Sequence, residues 1–127
     1  MAIESSIVFL PCENIALTRD FYERIVGLRV DQVQGGGKSV IFDTGYGFLG
    51  FVQYGDGRPM PVGELSPCLS FNCRDEADVD ARFAAALEAG AEPISAPARH
   101  PVLAVYSCFF RDPDGYKVEF QKILSEQ

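Results

Sequence analysis

The stretch Phe110-Arg111-Asp112-Pro113-Asp114-Gly115-Tyr116-Lys117-Val118-Glu119-Phe120-Gln121 joins a turn to a strand and sets one carboxylate on that strand's second face. Pro113 fixes φ at the first corner, Asp112 can bond back to the backbone, and Gly115 accepts the positive φ that closes such a turn. Strands are therefore expected on both sides. After the turn, Tyr116, Val118 and Phe120 alternate with Lys117, Glu119 and Gln121, the period of two of a strand with unlike faces. One face meets apolar packing and the other carries Glu119. Spacing alone describes a hairpin with a solvated polar face.

Working back from this hairpin, residues 102–111 and 92–96 read as strands. Residues 75–89 read as a helix closed by Gly90, with Val79, Phe83, Ala86 and Leu87 on one stripe and Glu76, Asp78, Asp80 and Glu88 elsewhere. A strand over residues 68–73 precedes that helix. The segment 55–67, with Gly55, Gly57, Pro59, Pro61, Gly63 and Pro67, has the composition of a linker. Before it the same order recurs. Residues 3–11 form a first strand in which Ile7, Val8, Phe9 and Leu10 are a buried run ended by Pro11. Asn14 is the N-cap of a helix whose stripe holds Ile15, Phe21, Tyr22, Ile25 and Val26 and which Gly27 terminates. Strands follow over residues 28–34, 38–43 and 48–54, with Gly35-Gly36-Gly37 as a hairpin turn. Gly37-Lys38-Ser39 has the last letters of a phosphate-binding loop, but the glycine required five residues earlier is Gln32. Two strand-helix-three-strand modules are expected, at about residues 1–63 and 66–127 of a single domain. The repeat rests on element order and not on letters.

The chain has 127 residues, long enough for a real core, and 47% of them are hydrophobic. No apolar run reaches the length of a membrane span, and the N-terminus has no basic segment followed by an apolar one, so a cytoplasmic protein without a membrane partner is expected. Net charge is −7, and the eleven Lys and Arg are scattered, which argues against nucleic acid and favours a neutral or cationic ligand. Cys12, Cys68, Cys73 and Cys108 lack zinc-type spacing and read as reduced, buried thiols. His100, flanked by Arg99 and Pro101, reads as a solvated loop side chain.

The closing hairpin resembles the last strand of the vicinal oxygen chelate superfamily, the group of glyoxalase I, bleomycin-resistance proteins, fosfomycin-resistance enzymes and extradiol dioxygenases. The run from Asn14 to Leu28, with its Phe21-Tyr22 pair and closing Gly27-Leu28, resembles that superfamily's first helix. The two pieces lie near opposite ends, so the likeness spans nearly the whole chain. It implies an α+β fold of two βαβββ modules, whose curved mixed sheets carry helices outside and an open cup inside. It also implies a homodimer.

In metal-dependent members, four inward strand positions supply donors. By this resemblance the positions fall at Ile7, Phe51, Cys68 and Glu119. Phe51 is reached by setting Gly50-Phe51-Val52-Gln53 beside Val118-Glu119-Phe120-Gln121. Ile7 and Phe51 cannot ligate, and a thiolate beside one carboxylate is a poor site for hard or borderline ions. No metal and no cofactor is therefore expected. The Glu119 carboxylate should disfavour a Cys68 thiolate, which argues against a catalytic Cys68. A carboxylate in a cup without a cation is expensive to keep ionised unless it finds donors. Phe48, Phe51, Tyr54, Tyr106, Phe109 and Phe110 lie on or beside the cup strands, most of them as ordinary core. The expected ligand-binding set is Glu119, Phe51, Gln53, Cys68, Tyr106, Gln121 and Ile7.

Three functions remain open at this point. The first is a metal-free protein that holds a neutral or cationic aromatic small molecule in an apolar cup. The second is a metal-dependent lyase, transferase or dioxygenase with an altered site. The third is a partner-binding domain whose cup is inert.

Overall fold

A computed structural model describes residues 2–125 of the chain. Two compact units divide it, Met1–Pro61 and Val62–Gln127. The first contains β1 (Ile7–Pro11), α1 (Ile15–Asp20) continued by a wider π-helical turn (Phe21–Val26), β2 (Arg29–Gln34), β3 (Ser39–Asp43) and β4 (Phe48–Val52). The second contains β5 (Cys68–Asn72), α2 (Glu76–Glu88), β6 (Glu92–Arg99), β7 (Val105–Arg111) and β8 (Lys117–Ile123). Both are βαβββ modules, so the class is α+β. Their four-stranded sheets have the matching orders β1-β4-β3-β2 and β5-β8-β7-β6. The first strand of each module pairs in parallel with the last, and the other pairs are antiparallel.

In the first unit, the Asn14 side chain accepts from the N–H groups of Ala16 and Leu17 and starts the helix. Gly27, at φ 87°, ends it: the Gly27 and Leu28 N–H groups both reach back to the Tyr22 carbonyl. The helix packs on one sheet face through Tyr22, whose ring stacks on Phe51 at 4.7 Å and lies 5.8 Å from Phe42. All three rings are fully buried. Losing one such ring costs about 3–5 kcal/mol. In the second unit, Asp75 caps α2 by accepting from the Asp78 N–H. Val79 and Ala86 are buried beneath the helix, and Phe83 meets Phe110 at 5.1 Å. Leu87, placed on that stripe by its spacing, is instead exposed.

The first strand is shorter than residues 3–11, and its expected buried run is not buried. Ile7, Val8 and Phe9 are 40%, 57% and 49% exposed, and only Leu10 is enclosed. The reason is position: β1 is an edge strand, with β4 on one side and, among the described residues, no strand on the other. The strand β6 runs beyond residues 92–96 to Arg99, through Pro93 and Pro97, with two irregularities in its pairing to β7. An edge strand tolerates those prolines because their missing N–H groups are not needed for a second neighbour.

The β7–β8 turn is organised by one carboxylate. Asp112 is 5% exposed, and its Oδ1 accepts from the N–H groups of Asp114, Gly115 and Tyr116, each at 2.9 Å. Gly115 has φ 99°, and a Cβ there would stand 3.0 Å from the Val62 Cγ1. Both the backbone angle and the space therefore call for glycine. Tyr116, Val118 and Phe120 then enter the core under α2.

Tyr106 reaches the same helix from β7, donating its hydroxyl to Asp80 Oδ1 at 2.6 Å. That bond, with the nearby negative charge, pushes the phenol up to about 12. The pair supports the folded state fully below the ordinary phenol range near pH 10 and loses that support as pH rises through about 12. An ultraviolet titration of the folded protein should show a late-ionising tyrosine phase, and Tyr106→Phe should reduce its amplitude by one tyrosine; an unchanged late amplitude in Tyr106→Phe would refute the assignment. Asp112→Ala should lower the unfolding free energy by about 1–3 kcal/mol, because three N–H groups lose their shared acceptor. Asp112→Asn, which keeps an oxygen there, should lose less; equal chemical-denaturation midpoints for the two variants would contradict this account.

Candidate functional site

Strand pairing decides which side chains share a face. In the second sheet, Cys68, Ser70 and Asn72 of β5 stand level with Lys117, Glu119 and Gln121 of β8. Phe109 of β7 stands level with Glu119 from the other side. These residues occupy the face opposite α2, whereas Val118 and Phe120 face the helix core. Glu119 is thus half-buried on the face away from the helix, as its alternation predicts.

Three side chains on this face form a row. Ser70 Oγ donates to Glu119 Oε1 at 2.5 Å, and Cys68 Sγ lies 3.6 Å from Ser70 Oγ. Between Cys68 and Ser70 either atom can be the donor. Partial burial raises the Cys68 thiol above its ordinary range; the Ser70 bond opposes this, and the Glu119 charge adds to it. The expected direction holds, but desolvation outweighs the carboxylate as its cause. Cys68 is also exposed, in contrast to the buried thiols Cys12, Cys73 and Cys108. Beyond the row, Gln121 Nε2 donates to Asn72 Oδ1 at 3.1 Å.

Other expected site residues lie elsewhere. Tyr106 is on the helix side of its sheet, committed to Asp80. Phe51 is likewise on the helix side of the first sheet, stacked on Tyr22 and fully buried, so it lines no ligand surface. Gln53 lies past the end of β4, where its Oε1 accepts the Ile15 N–H at 2.8 Å and serves the helix start. Ile7 does occupy the helix-free face of the first sheet, in register with Phe48. Phe48 shares that face, Phe110 faces the core, and Tyr54 lies beyond the strand under the Arg58 guanidinium, 3.4 Å from its ring centre. His100 is more than a solvated side chain: its Nδ1 accepts from the N–H groups of Val102 and Leu103 at 3.0 and 2.9 Å.

The two modules can be compared position by position. Cys68, level with Lys117, corresponds to Ile7, level with Phe48; Ser70, level with Glu119, corresponds to Phe9, level with Gly50. The counterpart of Glu119 is therefore Gly50 and not Phe51. The Phe9 ring occupies the vacated space, since a Cβ on Gly50 would fall 2.5 Å from Phe9 Cδ1 and Cε1. Sequence reasoning missed Ser70, Phe9 and Gly50. Setting the bulky pair Leu49 and Phe51 beside Val118 and Phe120, instead of Gln53 beside Gln121, identifies Gly50.

These residues do not suit a divalent metal of the kind such folds carry. The matched positions offer a carboxylate and a thiol in one module, and an aliphatic side chain and a glycine in the other. Among the described residues, no three His, Cys, Asp or Glu side chains converge closely enough to hold an ion. No helix of the described chain is long and apolar enough to cross a membrane.

Comparison with known proteins gives the same architecture. A glyoxalase/bleomycin resistance protein/dioxygenase family enzyme from Burkholderia phytofirmans PsJN is similar at 20% identity and TM-score 0.80, over 94% of this chain and 98% of that one. TioX from Micromonospora sp. ML1 is similar at 23% identity and TM-score 0.75, over 95% and 99% of the two chains. A lactoylglutathione lyase from Agrobacterium tumefaciens shares 25% identity at TM-score 0.71, over 91% and 90%. No curated protein matches the chain. The family model described as Glyoxalase/Bleomycin resistance protein/Dioxygenase superfamily matches residues 6–120, which carry both modules and the closing hairpin, and the chain belongs to that superfamily.

Proposed function

We propose that this protein binds a small neutral or cationic aromatic molecule, with Glu119 on the helix-free face of the second sheet as its polar anchor, and that it does so without a catalytic divalent metal. The observation that carries this reading is the state of Glu119. Ser70 is its one hydrogen-bond donor among the described residues, through Oε1, which leaves Oε2 able to accept from a ligand N–H. Phe109 stands beside it across the strand pair, offering a ring for stacking. A net charge of −7 favours a cation over an anion at such a site.

A second reading is supported by the 25% identity to a lactoylglutathione lyase, namely a metal-dependent enzyme whose donors include Glu119. The two readings differ in an observable way. Protein purified without chelators should carry no stoichiometric divalent metal, and planar aromatic cations such as benzamidine should raise its melting temperature. Glu119→Gln should fold and should bind such a cation more weakly by about 1–3 kcal/mol. Stoichiometric metal in the wild type that is absent from Glu119→Gln would replace the binding reading with the enzymatic one. Failure of every aromatic tested to shift the melting temperature would favour an inert domain.

The protein is also proposed to act as a homodimer. The edge strand β1 leaves Ile7, Val8 and Phe9 exposed, and unpaired apolar edges are what association covers. Light scattering across a dilution series should give twice the chain mass of 13.9 kDa at micromolar concentration. A monomer mass throughout would exclude it.

A further inference from the structure

The turn between β6 and β7 opens at His100, whose Nδ1 accepts from two consecutive backbone N–H groups, Val102 at 3.0 Å and Leu103 at 2.9 Å. A ring atom that meets two donors has to bring a lone pair, so the hydrogen of the neutral imidazole sits on Nε2. Asparagine commonly performs this duty in turns, and its oxygen accepts at every pH. Imidazole differs, because a proton added at Nδ1 converts the acceptor into a donor facing two other donors. The base of the turn is closed without the ring. The His100 N–H donates to the Val105 carbonyl at 3.0 Å, and the Leu124 N–H donates to the Ala104 carbonyl at 2.9 Å. Between those bonds lie Val102 and Leu103, both exposed, so the ring governs the apolar tip alone.

We propose that His100 is a pH switch: its neutral ring clamps the tip of the β6–β7 turn, and protonation at Nδ1 releases it. The two bonds are complete while the ring is neutral and are lost as pH falls through its titration. The freed N–H groups of Val102 and Leu103 then turn to water, and the tip rearranges between ends that stay bonded. The charged groups around the turn come from four elements. Arg99 of β6 pairs with Glu76 of α2 at 3.0 Å, Tyr106 of β7 stands level with Arg99 and is held by Asp80 of α2, and Lys122 of β8 stands level with Tyr106. Among the described residues, the side chains of Arg99, Asp80 and Glu76 are engaged with those partners and not with the ring. Protonation of the imidazole itself, and not of a neighbouring carboxylate, is therefore the event that opens the tip. This inference goes beyond ligand binding at Glu119 and does not depend on it.

The experiment is nuclear magnetic resonance of the isotope-labelled full-length protein between pH 8 and 5. At pH 8 the ring nitrogens should show the Nε2–H tautomer, and the Val102 and Leu103 amides should be protected from hydrogen exchange. Corrected for the intrinsic pH dependence of exchange, that protection should fall by about ten-fold or more in step with the His100 ring shifts, as expected for two hydrogen bonds lost together. The His100 and Leu124 amides at the base should stay protected. His100→Asn keeps an acceptor that does not titrate and should hold both tip amides protected throughout, whereas His100→Ala should leave them unprotected at every pH. Glu76→Gln should leave the transition in place. An Nδ1–H tautomer at pH 8, wild-type protection unchanged down to pH 5, or protection retained in His100→Ala would overturn the switch. So would an acid loss that persists in His100→Asn or disappears in Glu76→Gln, because another group would then be titrating. The wild type and His100→Asn decide the question even where His100→Ala fails to fold.

Discussion

The Asp112 carboxylate is the constraint on which the second unit depends. It gathers three successive N–H groups at one oxygen, and so it sets how the chain leaves β7 and where β8 begins. Pro113 and Gly115 supply the backbone angles, but only a buried acceptor holds the turn in one register. That register brings Phe109 level with Glu119 and Phe110 level with Val118. Because side chains alternate with a period of two, a slip of one residue would bury Glu119 beneath α2 and expel Phe120. The cost of burying an unpaired carboxylate there guards against the slip.

The two modules use one backbone plan for different surfaces. In the second, a hydroxyl and a carboxylate meet across parallel strands, and the pair satisfies a donor and an acceptor that water would otherwise serve. In the first, the same two positions hold Phe9 and Gly50, with the ring lying over the glycine. At this matched pair of positions the second module is therefore polar and the first is apolar. The helix-side faces, by contrast, are alike: Leu49 and Phe51 in one module and Val118 and Phe120 in the other are all buried. The face under the helix is constrained by packing, and the opposite face is released to vary.

Several polar side chains that resemble site residues by type serve the scaffold. Gln53 closes the start of α1, Tyr106 ties β7 to α2 through Asp80, and His100 holds the turn between β6 and β7. Each satisfies groups that an element end or a loop leaves open. Residue type alone does not separate such duties from ligand binding, because the same donors and acceptors perform both.

Local chemistry determined much of this protein in advance: the Asp112–Gly115 turn, the Asn14 and Gly27 helix ends, the order of elements in both modules and the placement of Glu119 on the face opposite Val118 and Phe120 could all be read from neighbouring residues. These features depend on φ preferences, caps and alternation, which act within a few positions. Tertiary structure alone decided that Ile7, Val8 and Phe9 lie on an edge and stay exposed, since burial depends on which strands stand beside them. It also decided that Gly50, and not Phe51, matches Glu119, and that Ser70 is the carboxylate's partner. Ser70 and Glu119 are far apart in the chain, and their meeting requires the parallel pairing of β5 with β8, which no local rule specifies.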